Sequence, residues 1–233
     1  ELYASQMSSL KRGYALFDPH PGFDGNIQLR RPVGFGDVGY VSEAGAFRRL
    51  FSVHLPLGHE DQPEQLPDDF EYIPVQPGRV DLRDFQPQAL RSVTSRRGKV
   101  SAGVDVYVPA VPATGDVSLS FSRQQGAILA FFDKAWHEDS RMKKEYKRLF
   151  LKHHDAWLAY AQEEDPDLRM EDLVLVTGCD RTRTWATAVI DDVVVEGDLT
   201  LKVNLQNLGG ISVTCGLRWE RTHGAQCNWG PSR

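Results

Sequence analysis

The side chains with the means for chemistry are one cysteine set among turn formers, seven histidines and adjacent carboxylates such as Asp68-Asp69 and Asp191-Asp192. Thr177-Gly178-Cys179-Asp180 has the small-residue pattern of a turn that could raise a nucleophilic thiol. Such a thiol must ionise, which calls for a nearby base, a cation or a helix N-terminus. Arg181 and Arg183 are close in sequence, yet Trp185 to Ile190 reads as strand rather than helix. The alternative is that Gly178 makes the turn and Cys179 packs beneath Trp185 as a small apolar side chain, the commonest use of a free cysteine. The balance leans away from an enzyme, with Cys179 the sole nucleophile candidate.

Metal and phosphate chemistry find less support. His153 and His154 are adjacent, so on a helix they point about 100° apart and do not make a one-face ligand pair. His20, His54, His59, His137 and His223 are scattered, without cysteine or carboxylate partners at ligand spacing. Gly34-Phe35-Gly36 lacks the third glycine and following helix of a phosphate loop. Asp68-Asp69 and Asp191-Asp192 are adjacent, which fixes no catalytic separation. Neither a metal nor a cofactor is expected.

The one concentrated charge is basic. Arg141, Lys143, Lys144, Lys147, Arg148 and Lys152 line one side of a helix expected over about 139–164. A solvated face is the ordinary reading of such a run; contact with a membrane or another anionic partner is the functional one. No aromatic platform accompanies the run, and the net charge of −5 argues against a nucleic-acid binder.

The elements that must carry these residues are mostly strands. Val38–Val41 and Phe47–Val53 predict a hairpin turning near Glu43-Ala44-Gly45. Pro56–Pro77 is an acidic, proline-bearing loop, expected to be the most mobile segment. Apolar residues alternate over 100–108, 116–122, 199–205 and 211–219, the mark of strands with one dry face. The first two and the last two of these pair most simply as hairpins. Gly126–Phe132 and Leu173–Thr177 are continuously apolar, as expected of buried strands, and Trp185–Ile190 follows a turn at Gly178-Cys179-Asp180. In the helix, Met142, Tyr146, Leu149, Phe150, His153, Trp157 and Tyr160 recur at steps of three and four. Glu138, Asp139 and Ser140 are suited to cap its start, and Asp165-Pro166 to stop it.

With 233 residues, 41% of them apolar and 25% charged, the chain can bury a sizeable core. A single β-rich domain over 1–233 is expected, with a turn-rich part at 1–80, the loop 56–77, and a β/α core at 81–233. The fold class is α+β, mainly antiparallel, a sandwich-like twisted sheet with the long amphipathic helix packed on it. Central packing is assigned to Trp157, Leu149, Tyr146, Phe121, Val104, Leu175, Trp185 and Val213. Cys179, Cys215 and Cys227 are too few for a disulfide-stapled module. A Cys215–Cys227 bridge is conceivable, but three reduced thiols in a cytoplasmic protein fit better. Glu1 is not an initiating residue, so targeting stays open.

Several phrases carry a resemblance. Gly13-Tyr14-Ala15-Leu16, Gly36-Asp37-Val38-Gly39-Tyr40 with Gly45 and Phe47 leading to Leu50-Phe51-Ser52-Val53, Gln125-Gly126-Ala127-Ile128-Leu129, and Val174 to Asp180 with Trp185-Ala186 resemble a family of uncharacterised proteins from mushroom-forming (basidiomycete) fungi. The likeness spans most of the chain and brings no assigned activity. Members extend past Gly230-Pro231-Ser232, which implies a fragment or the N-terminal domain of a longer protein. The order of hairpin 100–122, basic helix, strand and hairpin 198–219 is similar in layout to gasdermin-type pore-forming domains. That resemblance implies hairpins that insert into membrane, in an oligomer.

The leading expectation is a non-catalytic recognition or interaction domain, its partner a protein or an anionic lipid surface. The alternatives are a membrane-active pore former and an enzyme using Cys179.

Overall fold

The computed structural model describes residues 2–20, 31–76, 78–86, 88–92, 116–119, 126–131, 133–190, 200–206, 212–218 and 225–230. In chain order the elements begin with helix α1 (Leu2–Met7), β1 (Asp37–Val41), β2 (Phe47–Ser52), β3 (Val80–Phe85), β4 (Gln88–Arg91) and β5 (Asp116–Leu119). They continue with β6 (Gly126–Phe131), β7 (Ala135–Ser140), α2 (Lys143–Glu164), β8 (Leu173–Leu175) and β9 (Gly178–Arg181). Last come β10 (Trp185–Ile190), β11 (Thr200–Gln206), β12 (Ser212–Arg218) and β13 (Ala225–Gly230). The fold is α+β, and the pairings resolved between these strands are antiparallel. Among the described residues no helix is long and apolar enough to cross a membrane. The chain divides into two compact units, Pro19–Asp84 with Trp136–Arg181, and Glu1–Asp18 with Phe85–Ala135 and Thr182–Arg233.

The unit that holds α2 is built on the sheet β2–β1–β8. The predicted hairpin forms, closed by Gly45 N–H donating to the Ser42 carbonyl at 2.8 Å. Its register shifts between Val38 and Gly39. There a Cβ on Gly39 would sit 1.9 Å from the Arg48 carbonyl oxygen, so only glycine fits. The helix lays Tyr146, Leu149, His153, Trp157 and Ala161 inward at helical spacing. Tyr146, Leu149, Trp157 and Ala161 meet Val38, Leu50, Phe51 and Leu173 of the sheet in one core. Phe51 stands edge-on to Trp157, with ring centroids 5.4 Å apart, and to Tyr160 at 5.9 Å. Leu175, expected in the centre, is partly buried at the margin of this core.

The helix starts four residues later than expected. Asp139 and Ser140 belong to β7, whose partner is β9, and the Ser140 N–H donates to the Thr177 carbonyl at 2.9 Å. The Arg141 N–H is likewise taken, by the Arg79 carbonyl at 2.8 Å. With those donors held by extended chain, the N-cap passes to Met142, and no side chain caps it. The end falls where expected, at an extended Asp165 before Pro166. The expected turn Gly178-Cys179-Asp180 is instead strand β9, in the sheet β3–β7–β9.

In the other unit, β6 is central in the sheet β13–β10–β6–β4. Ala127, Ile128, Ala130 and Phe131 are buried along it, as its continuous apolarity requires. Tyr3 and Met7 of α1 pack with Ala127 and Val189. Trp185, expected to share a core with Trp157, is buried in this unit. The expected hairpin of the last two alternating segments is β11–β12, in register from Thr200↔Arg218 to Gln206↔Ser212. The other flank of β11 takes β5, with Val203↔Val117. Residues 100–108, with Val104, and Phe121 lie outside the described residues.

Candidate functional site

Four polar side chains distant in sequence converge behind β1 and α2. Asp37, at the first residue of β1, is fully buried and binds the Arg31 guanidinium and the Gly34 N–H, the latter at 2.8 Å. His54, just past β2, has Nδ1 at 2.6 Å from the Ile73 carbonyl and Nε2 at 2.7 Å from the Tyr146 hydroxyl. A carbonyl only accepts, so the proton sits on Nδ1 and Nε2 accepts from Tyr146. The Ser140 hydroxyl completes the chain 3.1 Å from that of Tyr146. Burial lowers the His54 pKa, against the upward pull of the Ile73 hydrogen bond, and raises that of Tyr146.

His, Tyr, Ser and Asp are the residue types of acid–base catalysis, but this set is closed. Ser140 is 0% exposed, Tyr146 2% and His54 8%. The Phe35 and Tyr146 rings flank the imidazole, each with its centroid 5.6 Å away. Each member has its hydrogen-bonding atoms engaged by protein groups, which fixes the end of β2 against α2 through His54 and Tyr146 and leaves no atom directed at a substrate.

Cys179 is less suited to nucleophilic attack than its sequence context implied. It lies on β9, its Sγ 3.3 Å from Arg181 Nε and 3.8 Å from the Val33 carbonyl oxygen. Burial pushes the thiol pKa up, and Arg181 offsets this only in part. Arg181 also pairs with Glu138 at 3.0 Å. Cys179 and Cys227 are not joined in disulfides.

The basic helix face is divided by its ion pairs. Arg141 holds Asp81 through Nε, 3.0 Å from both carboxylate oxygens. Lys143 pairs with Asp139 at 3.1 Å. Arg148 and Lys152 grip Glu71 at 2.6 and 2.9 Å, and His153 Nε2 is 3.3 Å from the same carboxylate. Hydrogen bonds from Arg148, Lys152 and His153, in that order, bring the Glu71 pKa down to about 2. His153 itself is buried, stacked on Trp157. Among the described residues, Lys144 and Lys147 have no carboxylate in ion-pair range.

Within the acidic loop, Glu71 bonds the helix, and the Gln62 amide bonds both the N–H and the carbonyl of Ser52 on β2. Sequence reasoning missed Glu71 and the Asp37–His54–Tyr146 set. Only the inward position of Tyr146 on the helical stripe signalled either. Comparisons with protein-family models, curated proteins and solved structures return no match.

Proposed function

We propose that the chain is a non-catalytic recognition domain that meets a partner through the outward side of α2. The observation that carries this reading is the contrast between two surfaces of one helix. On the inner side, Tyr146 and its partners His54 and Ser140 are buried and mutually hydrogen-bonded. On the outer side, Lys144, Lys147 and Leu151 are exposed. A tagged full chain used for affinity capture, followed by reconstitution with the purified partner, tests it. A saturable complex retained by Cys179→Ala is expected. Reproducible turnover of a small molecule that Cys179→Ala abolishes would replace this reading with an enzymatic one.

A second reading, membrane insertion as an oligomer, is supported by the β11–β12 register, in which Leu201, Val203 and Leu205 stand opposite Leu217, Cys215 and Val213. The strands are 7 residues each, short of the roughly 9–11 that cross a bilayer. Leakage of dye from anionic liposomes would favour this reading; intact liposomes, with the whole and the proteolysed chain alike, would remove it.

A further inference from the structure

The exposed side of α2 has a definite chemical pattern. At about 100° per residue, Lys144, Lys147, Arg148, Leu151 and Asp155 fall within an arc of about 100° opposite the buried stripe. Leu151 is 62% exposed. One turn earlier on the same face stands Lys147, and Lys144 lies one turn before that. Glu71 is held by Arg148 and Lys152, and its chain neighbour Tyr72 is 45% exposed.

We propose that this face docks an acidic protein segment bearing an apolar side chain. Its carboxylates meet Lys144 and Lys147, and its apolar side chain covers Leu151. The proposal rests on the recognition reading above and names the partner's chemistry. Charge complementarity selects this occupant. The chain as a whole carries −5, so an acidic partner is steered toward a local group of exposed cations, and Lys144 and Lys147 are exposed on this face without a carboxylate in ion-pair range among the described residues. Asp155, its carboxylate 89% exposed, closes the C-terminal end of the stripe to anions and so sets the direction of the segment. A lipid surface is served less well. Each basic residue near an anionic bilayer contributes about 1 kcal/mol, and Arg141, Lys143, Arg148 and Lys152 are already paired.

The test is fluorescence anisotropy with a labelled Asp/Glu peptide carrying one central Phe, alongside vesicles of phosphatidylcholine with and without phosphatidylserine. Saturable peptide binding is expected, weakened about tenfold or more by K144E/K147E and about fivefold by L151A, and falling with added salt. Thermal melts that match the parent keep a folding defect from imitating the result. Peptide binding that ignores these substitutions, binding to phosphatidylserine vesicles alone, or binding to neither probe would overturn the proposal. A captured partner that binds K144E/K147E as tightly as the parent would overturn this site and leave the recognition reading standing.

Discussion

Nε2 of His54 lies 2.7 Å from the phenolic oxygen of Tyr146, a residue 92 positions further along the chain. The contact joins the end of the β2 hairpin to the first turns of α2. Because both groups are buried, it holds the unit together and is closed to substrate.

Removing the phenol tests that statement. Tyr146→Phe strips His54 Nε2 of its donor and takes the phenolic oxygen from Ser140, whose Oγ keeps only the Met142 N–H. Unsatisfied buried polar groups cost about 1–3 kcal/mol, so the variant is expected to unfold at correspondingly lower urea. An unchanged midpoint would show that water reaches these groups.

The same imidazole makes stability depend on pH. Burial lowers its folded-state pKa below the ordinary 6.5, so the unfolded chain binds the proton more readily. Its contribution is fully present above pH 6.5 and is lost as pH falls toward the folded value. Between pH 7.5 and 5.5 the parent is expected to lose more thermal stability than His54→Gln. Parallel curves would contradict the assignment.

Glu71 predicts a second, lower window. Its carboxyl is depressed from 4.5 to about 2, so its stabilisation is complete above pH 4.5 and disappears as pH falls toward 2. The pairs are partly exposed and screened by solvent, and Glu71→Gln is expected to cost about 1 kcal/mol at neutral pH. That deficit relative to the parent should vanish near pH 2. A deficit that persists there would assign the loss to packing instead of charge.

For Cys179, burial keeps the thiolate fraction below that of an ordinary cysteine. Alkylation by iodoacetamide at pH 7.4, mapped by peptide mass, is expected to be slower at Cys179 in the folded chain than after unfolding in urea. Faster labelling in the folded chain would restore it as a nucleophile candidate.

Trp157→Ala removes the ring that Phe51 and Phe150 face edge-on, and a loss of about 3–5 kcal/mol is expected. Chemical denaturation gives the value; a cost under about 1 kcal/mol would mean that the helix does not anchor the sheet.

What the sequence disclosed follows from what is periodic. The stripe through Tyr146, Leu149, His153 and Trp157 announced α2, and alternation announced β11 and β12, because both patterns are written within a few residues of chain. The start of α2 was hidden, since Asp139 and Ser140 are good capping residues whose backbone is claimed by β7. In the sequence Gly178 reads as a turn former. Its actual reason is close approach, as a Cβ there would lie 2.6 Å from the Glu138 carbonyl oxygen. The His54–Tyr146 bond and the Glu71 cluster depend on pairings across 92 and 77 to 82 positions, where no local pattern points. The six basic residues were visible as a group, but not that distant carboxylates engage Arg141, Arg148 and Lys152.

The most direct test of the account is amide chemical-shift mapping of the full chain titrated with its purified, affinity-captured partner. Perturbations concentrated at Lys144, Lys147, Arg148 and Leu151, with His54, Ser140 and Cys179 unmoved, are the predicted result. Shifts centred on His54, Ser140 or Cys179 while the outer face of α2 stays silent would contradict it.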